Sequence, residues 1–371
     1  MQEEGITFST SKRVFYNPNM RLCRSMSSLA VGAIGGKLEL VDGFTASGIR
    51  GIRYAKENRN VRKLTLLDVD KYAMALAKKN AKAGRLKAAM APGNISRLAF
   101  DLDADFLEID PFGTPSPYLV DAFRFFNGKK LAYLSATATD VAVLCGGKTA
   151  PCMKNYHSKP MNNEFTHETG LRIMIKKIAE TAAEFNMGIR PLVSFSDKHY
   201  LKSVIEVRRS ADLAYASLKS LGHVFYCPQC GFRGASQFPP EACAECGAGG
   251  PKPGTENPKP DFAGPLWLGE IHDADFIRKM ASLNDARKYA DRQEMARMLS
   301  EMLGEVGMPP YYYNVHAICK FGRTVSVPAM GAVMDALRDG GYRALRTHFS
   351  PVSIKSDAPY AAIREAVGWK G

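Results

Sequence analysis

The chain contains no run of about eighteen apolar residues, the length a bilayer-crossing helix needs, so no membrane span is expected. Its first stretch, MQEEGITFSTSKRVFYNP, lacks the basic-then-apolar order of a secretory signal. These absences predict a soluble, cytoplasmic protein with no membrane partner. No internal repeat is visible, and no obligate protein partner is evident. Eight cysteines occur, but they do not form a disulfide framework: four fall in two CxxC pairs, and Cys23, Cys145, Cys152 and Cys319 are scattered. Acidic residues are in deficit, 37 against 50 Lys and Arg, which gives a formal charge of +13. Such an excess attracts polyanions at long range, nucleic acid above all, although a merely basic enzyme has the same balance. The positive residues are dispersed along the chain, so any binding face must be assembled by the fold. What is present is ample core material. At 46% hydrophobic, 371 residues can bury two separate cores, which excludes wholesale disorder.

From about residue 38, short apolar runs alternate with helical patterns. LELVDGF (38–44) predicts a buried strand, followed by Thr45-Ala46-Ser47-Gly48 and a helix through Arg53 and Lys56. KLTLLDVD (63–70) predicts a second strand, and KYAMALAKKNAKAG (71–84) a helix closed by Gly84. KAAMA (87–91) is a weak third strand, ADFLEIDPF (104–112) a fourth, PYLVDAFRFF (117–126) a helix and KLAYLSATATD (130–140) a fifth strand. This alternation predicts an α/β fold with a parallel sheet covered on both faces. A helix around 164–187 leads into IRPLVSFSDKHYLKSVIEVRRS (189–210), two adjacent strands that finish the sheet antiparallel. After residue 222 the chain becomes rich in Gly, Pro and Cys and cannot form long regular elements. DARKYADRQEMARMLSEMLGEVG (285–307) predicts one polar helix. Two short helices, a strand and a turn beyond it suit a winged-helix-like module. The expected division is 1–220, 221–260 and 261–371.

Three features carry chemistry. In DGFTASGIRG (42–51) a strand starting the turn at Asp42 runs through glycines into a helix, so the backbone can approach a ligand closely and the helix offers free N–H groups. The spacing is not GxGxxG, and no GK[ST] follows this turn, which disfavours phosphate binding. Asp68 ends the second strand about twenty residues later, where an acid accepts hydrogen bonds from ribose hydroxyls. Asp70 competes for that role or caps the next helix. Together these point to an adenosine-bearing cofactor. Third, Asp110-Pro111-Phe112-Gly113 follows the fourth strand. Amine-methylating enzymes place an acid or amide, a proline and an aromatic here. An exocyclic amine is a poor nucleophile because its lone pair is delocalised into the base. A carboxylate and a backbone carbonyl that accept its two N–H hydrogens pull the nitrogen towards tetrahedral geometry. The carboxylate can then take the released proton, while Phe112 stacks on a flipped-out base. Upstream, VFYNPNMRLCRS (14–25) reads as a lid, with Arg21 and Arg24 able to fork onto a cofactor carboxylate.

Cys227, Cys230, Cys243 and Cys246 form two CxxC knuckles twelve residues apart, and glycines nearby permit the tight turns. Four thiolates satisfy tetrahedral Zn²⁺. The ribbon either staples a loop-rich insertion or touches RNA through Arg233 and nearby lysines, with stapling as the default. His316 and His348 suit structural roles as well as RNA contact, and YYYN (311–314) suits a packed seam as well as base stacking. Cys145 suits a small buried apolar position better than a nucleophile.

FYNPNMRLCRS, DGFTASGIRGIRYA, DPFGTPSPYLVDA, SATATDVAVLCG and RTHFSP…APY resemble the archaeal and eukaryotic tRNA guanine-26 N2-dimethyltransferases, from about Phe15 to Tyr360. ATATDVAVLCG (136–146) has no reading apart from that resemblance. The resemblance implies a class I S-adenosylmethionine-dependent methyltransferase with a Rossmann-like sheet and an antiparallel last strand. To this it adds a C-terminal α+β domain carrying the zinc ribbon, with tRNA as partner. By position it implies cofactor contacts at Arg24, Asp42, Arg50, Asp68, Asn94 and Ile95, the amine-positioning acid at Asp110 beside Pro111, and stacking aromatics at Phe15 and Phe112. Thr45 stands where the family often has Ser, and Asn94-Ile95 where it often has Asp-Ala, which puts the adenine contact there in question. Methylation of another guanine in tRNA or rRNA, and an inactive zinc-ribbon RNA-binding protein, are the alternative functions.

Overall fold

The computed structural model describes residues 1–197, 199–250, 259–324 and 326–369, so part of the expected ribbon, 251–258, lies outside the described residues. Five strands run parallel: β1 (Leu38–Asp42), β2 (Val61–Asp68), β3 (Ala89–Pro92), β4 (Phe106–Ile109) and β5 (Leu131–Ala138). A hairpin of β6 (Met187–Asp197) and β7 (Tyr200–Arg209) completes the sheet, with β7 antiparallel to β5. The order is β3-β2-β1-β4-β5-β7-β6. Chain direction across the sheet reverses between β1 and β4, which opens a crevice at the carboxyl ends of the parallel strands.

Strands this apolar need cover on both faces. α1 (Arg21–Ala33), α2 (Ile49–Glu57) and α3 (Lys71–Ala83) pack on one side, with Met26, Leu29, Ile52 and Ala77 against Leu40, Leu64 and Leu66. α4 (Leu119–Phe125) and α5 (Thr166–Glu184) pack on the other, with Phe123, Ile175 and Ile178 against Val41, Leu107 and Leu134. Among the described residues, no helix is long and apolar enough to cross a membrane.

The structure departs from the sequence reading in three places. The stretch read as a lid, 14–25, runs at Arg21 into α1, which buries eleven of its thirteen residues; its serines at 25, 27 and 28 hid the apolar face. The single polar helix expected at 285–307 starts later, as α7 (Arg292–Glu305), and a helix absent from the sequence reading, α6 (Ala274–Ala286), precedes it. The chain breaks between them so that Tyr289 can be buried with its hydroxyl on Glu57, 2.5 Å away. The expected boundary at 261 runs through packed structure. Asp261–Trp267 pairs with Leu221–Tyr226 and buries Ala263, Leu266 and Trp267 in the core beneath α5. Met280, Met295, Leu299 and Met302 of α6 and α7 belong to the opposite core. A separate small core lies beyond residue 312. There Tyr313–Asn314, Ala344–Thr347 and Ser350–Ser356 form an antiparallel sheet, packed with the helices Val315–Phe321, Met330–Asp339 and Tyr360–Ala366.

Candidate active site and zinc knuckles

β4 ends at Ile109, and the chain turns through Asp110, buried Pro111, Phe112 and Gly113, whose φ of +84° suits glycine. Two hydrogen bonds clamp this turn to the extension of β5. Gly113 N–H donates to Thr139 Oγ1 (2.7 Å), and Thr139 N–H donates to Gly113 O (2.9 Å). The ATATD block thereby acquires a physical role.

Asp110 meets Arg50 of α2, with Oδ2 2.5 Å from Nη2. Behind this pair lies Glu108, fully buried, which accepts from the Tyr54 hydroxyl (2.9 Å) and from the Lys202 ammonium. Lys202, also fully buried, donates to Thr137 Oγ1 (2.8 Å). Burial alone would raise the Asp110 pKa. The charges of Arg50 and Lys202 and a hydrogen bond from Thr137 outweigh it and hold the carboxyl below its ordinary range. Asp110 is therefore a carboxylate at neutral pH.

Over this buried network sit two exposed aromatic rings. Phe112 is 79% and Phe15 55% accessible, and they meet edge to face with centroids 4.9 Å apart. Exposed rings in contact with each other form an apolar platform facing solvent.

The glycine turn lies across the crevice. Asp42 Oδ2 accepts from Gly51 N–H (3.0 Å) and the Thr45 hydroxyl (3.2 Å), whereas Oδ1 is buried and unpartnered. Burial, reinforced by Glu108, pushes the Asp42 pKa up to about 7. A Cβ at Gly43 would come within 2.9 Å of the Glu108 carbonyl oxygen, so no side chain fits there. Asp68 accepts Ala46 N–H (2.9 Å) and Asp70 N–H (3.0 Å), and so fixes the turn from β2. Asp70 caps α3 through Tyr72 N–H (2.8 Å), the alternative its position allowed. Gly93 N–H donates to Asp68 O (3.0 Å), which brings Asn94 and buried Ile95 to the same strand end. The Asn94 side chain caps a short turn through Arg97 N–H (2.8 Å).

Asp42, Arg50, Asp68, Asn94, Ile95, Asp110, Pro111, Phe112 and Phe15 thus gather at the carboxyl end of the sheet. Arg24 is held within the chain. Its Nε and Nη2 are bidentate on Glu3 (2.7 and 2.6 Å), and Nη1 donates to Asn17 O (3.2 Å). Arg21 is bidentate on Asp291 (2.8 and 2.6 Å). Sequence reasoning missed Glu108, Lys202 and Tyr54. The available signal was Glu108 inside the apolar strand FLEI and Lys202 in the largely apolar run YLKSVIEV.

Cys227, Cys230, Cys243 and Cys246 bring their sulfurs within 4.8 Å of one another, with Cys227–Cys246 and Cys230–Cys243 each at 3.6 Å. A tetrahedron with Zn–S near 2.3 Å has edges of about 3.8 Å, so the set fits zinc. The two knuckles repeat one geometry. Gly231 N–H returns to Cys227 O (2.8 Å) and Gly247 N–H to Cys243 O (2.9 Å). Arg233, considered for RNA contact, is fully buried instead. It donates to Tyr312 O (2.7 Å) and pairs with Glu164 (2.5 Å), joining the ribbon to the rest of the chain. Tyr312 and Tyr313 are likewise buried, as a packed seam. Burial pushes the Cys145 thiol up to about 11, which is no nucleophile's environment.

Residues 1–368 match the model of the family described as N2,N2-dimethylguanosine tRNA methyltransferase. A tRNA (guanine(26)-N(2))-dimethyltransferase of Methanobrevibacter smithii is 33% identical over 98% of this chain and 96% of its own length. One of Methanothermobacter thermautotrophicus is 34% identical over 95% and 92%. The solved structure of Trm1 from Pyrococcus horikoshii in complex with S-adenosyl-L-methionine superposes with a TM-score of 0.86, at 28% identity, over 99% of both chains.

Proposed function

The chain belongs to the N2,N2-dimethylguanosine tRNA methyltransferase family, and from that membership we propose that it transfers one or two methyl groups from S-adenosylmethionine to N2 of guanine 26 in tRNA. The observation that carries this reading is Asp110, held as a carboxylate by Arg50 in the same turn that presents Phe112 of the exposed Phe15–Phe112 pair. An acid and a base-sized aromatic platform stand together at the crevice.

The crevice suits the cofactor. Asp42 Oδ1 is a buried acceptor with no partner, placed for an ammonium group. Each Asp68 oxygen holds one N–H and keeps a second lone pair for a ribose hydroxyl. Ile95 supplies an apolar wall beside it for adenine. Arg24 retains two N–H hydrogens beyond the three taken by Glu3 and Asn17, the edge it can offer a cofactor carboxylate. When bound, S-adenosylmethionine supplies an electrophilic methyl group on a sulfonium.

The protein's own residues do the rest. Phe15 and Phe112 open to sandwich or flank a guanine flipped out of the tRNA stack. The Asp110 carboxylate and the Pro111 carbonyl accept the two N2 hydrogens, which concentrates the lone pair on nitrogen. Asp110 takes the proton that N2 releases as it becomes methylated. Arg50 keeps Asp110 ionised and fixed in direction; Glu108 and Tyr54 hold Arg50 from behind, and Lys202 pairs with Glu108. The zinc ribbon staples the insertion, and the module beyond residue 312 is assigned to tRNA. A cytoplasmic enzyme acting without an obligate protein partner fits this chemistry.

The test is transfer of labelled methyl to unmodified tRNA transcripts, with the product mapped, for wild type and Asp110→Ala. Labelling of N2 of guanine 26 is expected, reduced about 10²–10⁴-fold in the variant while cofactor affinity stays within about threefold. Wild-type protein that binds cofactor but labels a different guanine, or no tRNA, would overturn the substrate assignment.

A further inference from the structure

Residues 71–100 contain seven Lys and Arg and no Asp or Glu, so this stretch contributes +7 to a chain whose whole excess is +13. α3 carries four of the seven. Lys71, Lys78, Lys79 and Lys82 are all exposed, while Ala73, Met74, Ala77 and Ala81 are buried. At 3.6 residues per turn, Lys71, Lys78 and Lys82 fall within about 40° of one another around the helix and span about 16 Å along it. Elsewhere, exposed helical cations are neutralised within their own helix: Arg278 by Asp275, Arg297 by Glu301 and Arg338 by Asp335. α3 has no acid with which to do so. Among the described residues, none of its lysines forms an ion pair with another segment either. Like charges three or four residues apart weaken a helix, so folding does not favour this arrangement.

The basic face starts at the crevice and leads to the aromatic platform. Asp70, the N-cap of α3, lies two residues beyond Asp68, which fixes the glycine turn. The N-terminal arm is riveted to the same helix by buried Asn80. Its amide donates to Ser9 O (3.0 Å) and Ser47 O (2.8 Å) and accepts Ser9 N–H (2.8 Å). Further along the arm, the Arg13 guanidinium lies 5.0 Å from the centroid of the Tyr72 ring, and the Lys71 ammonium 5.4 Å from it. Phe15 of the exposed pair is two residues beyond Arg13. Cations therefore follow one another from Lys82 along α3 to the rim where Phe15 stands.

We propose that the exposed face of α3, with Arg13 of the arm, is the surface on which the sugar–phosphate backbone of tRNA docks beside the flipped guanine. The inference rests on the tRNA reading above and adds to it the surface that holds the strand. Ammonium groups on flexible stems bind phosphates as point charges and read no sequence. They position the strand, and the pocket at Asp110 and Phe112 selects the base. Each phosphate they neutralise releases counterions, so each contact adds about 0.7–0.9 to the salt slope of binding.

The test is tRNA binding by the full chain between about 50 and 200 mM salt. Wild type is compared with Lys78→Gln/Lys79→Gln/Lys82→Gln and with a control of equal charge, Lys37→Gln/Lys279→Gln/Lys288→Gln. Glutamine keeps the helix propensity of lysine, and the three control lysines are exposed, before β1, on α6 and just beyond it. The α3 variant should bind tRNA at least about tenfold more weakly, with a salt slope shallower by about 2. Its affinity for S-adenosylmethionine should stay within about twofold of wild type, and the control's affinity for tRNA within about threefold. Equal weakening in both triple variants would mean that tRNA senses only overall charge, which overturns the proposal, as does an α3 variant that binds like wild type. Labelling of wild type with an amine-reactive reagent checks the surface without any substitution. Bound tRNA should shield Lys71, Lys78, Lys79 and Lys82 and leave Lys37 and Lys279 reactive; α3 lysines that stay reactive are equally fatal. Methyl transfer is scored in parallel: wild type that binds tRNA through these lysines yet methylates none loses the proposed activity and keeps the docking surface.

Discussion

Asp42 sits in a conflict that a single substitution exposes. It is fully buried, one oxygen has no partner, and its pKa stands near 7. A carboxyl whose folded pKa exceeds its unfolded value binds its proton more tightly when folded. Its stability contribution is greatest below about pH 4 and is lost as pH rises towards 7. Asp42→Asn keeps the acceptor for Gly51 N–H and removes the charge. Without cofactor, the variant should unfold later than wild type at pH 8, by on the order of 1–4 kcal/mol, and the difference should shrink at pH 5. Its affinity for S-adenosylmethionine should fall at least about tenfold, because the orphan oxygen no longer offers a charge to an ammonium. Thermal melts across pH with and without cofactor measure both. An Asp42→Asn protein that melts earlier at pH 8 would show that the carboxylate is already satisfied. Arg50 makes a second case. In Arg50→Met, Asp110 loses the first of the two cations that hold its pKa down, so the acid limb of the methylation pH profile should move upward.

At the scale of elements, the N-terminal hairpin (Gln2–Glu3 with Ile6–Thr7) shows why some structure was illegible in the sequence. Glu3 is buried between Arg24 of α1 and Arg53 of α2, at 2.6 and 2.8 Å, and the Tyr16 hydroxyl donates to it. No local pattern announces an ion pair spanning fifty residues. Burial raises the Glu3 pKa, but its hydrogen bonds and charge pairs with the two arginines win and bring it to about 2. The pair's contribution is therefore full above about pH 4.5 and vanishes as pH falls towards 2. Glu3→Gln should cost about 3–5 kcal/mol at pH 7, because two buried guanidiniums lose their counter-charge. Urea denaturation at pH 7 and pH 3 tests the size and the sign, since the two proteins should converge at the lower pH. The parallel strands, the glycine turn, the DPFG turn and the CxxC knuckles were legible because each depends on neighbours in sequence. Glu108, Lys202 and Arg233 were not, because a buried charge is explained only by partners that the fold brings from elsewhere. α1 was misread for a related reason: its buried serines look polar, although Ser25 and Ser28 bond to Arg53 and Glu57.

At the scale of the molecule, the interior charges are largely paired, so the formal +13 is carried mainly by the surface. Affinity for tRNA should accordingly drop at least about tenfold between 50 and 200 mM salt while cofactor affinity barely changes. The same view decides where the chain can be cut. A division at 220 looks natural along the sequence, because the sheet ends at Arg209 and the cysteine-rich stretch starts soon after. The cores disagree. Cutting there strips Ala263, Leu266 and Trp267 from one face of the sheet and Met280, Met295, Met298, Leu299 and Met302 from the other. Residues 1–220 should therefore be insoluble or molten, however complete their cofactor residues. Residues 1–310 keep both covers but lose the small core beyond 312 and Tyr312 from the core under α5, and they expose Glu168 and Glu305, which water can solvate. That fragment should fold, bind S-adenosylmethionine within about tenfold of the full chain, and lose most of its tRNA affinity and methyl transfer. Calorimetry with the cofactor and a tRNA gel shift on the two fragments separate the possibilities. If 1–220 binds cofactor as a cooperative monomer, α6 and α7 are ornaments on the sheet; if 1–310 retains full tRNA affinity, the terminal module has another task.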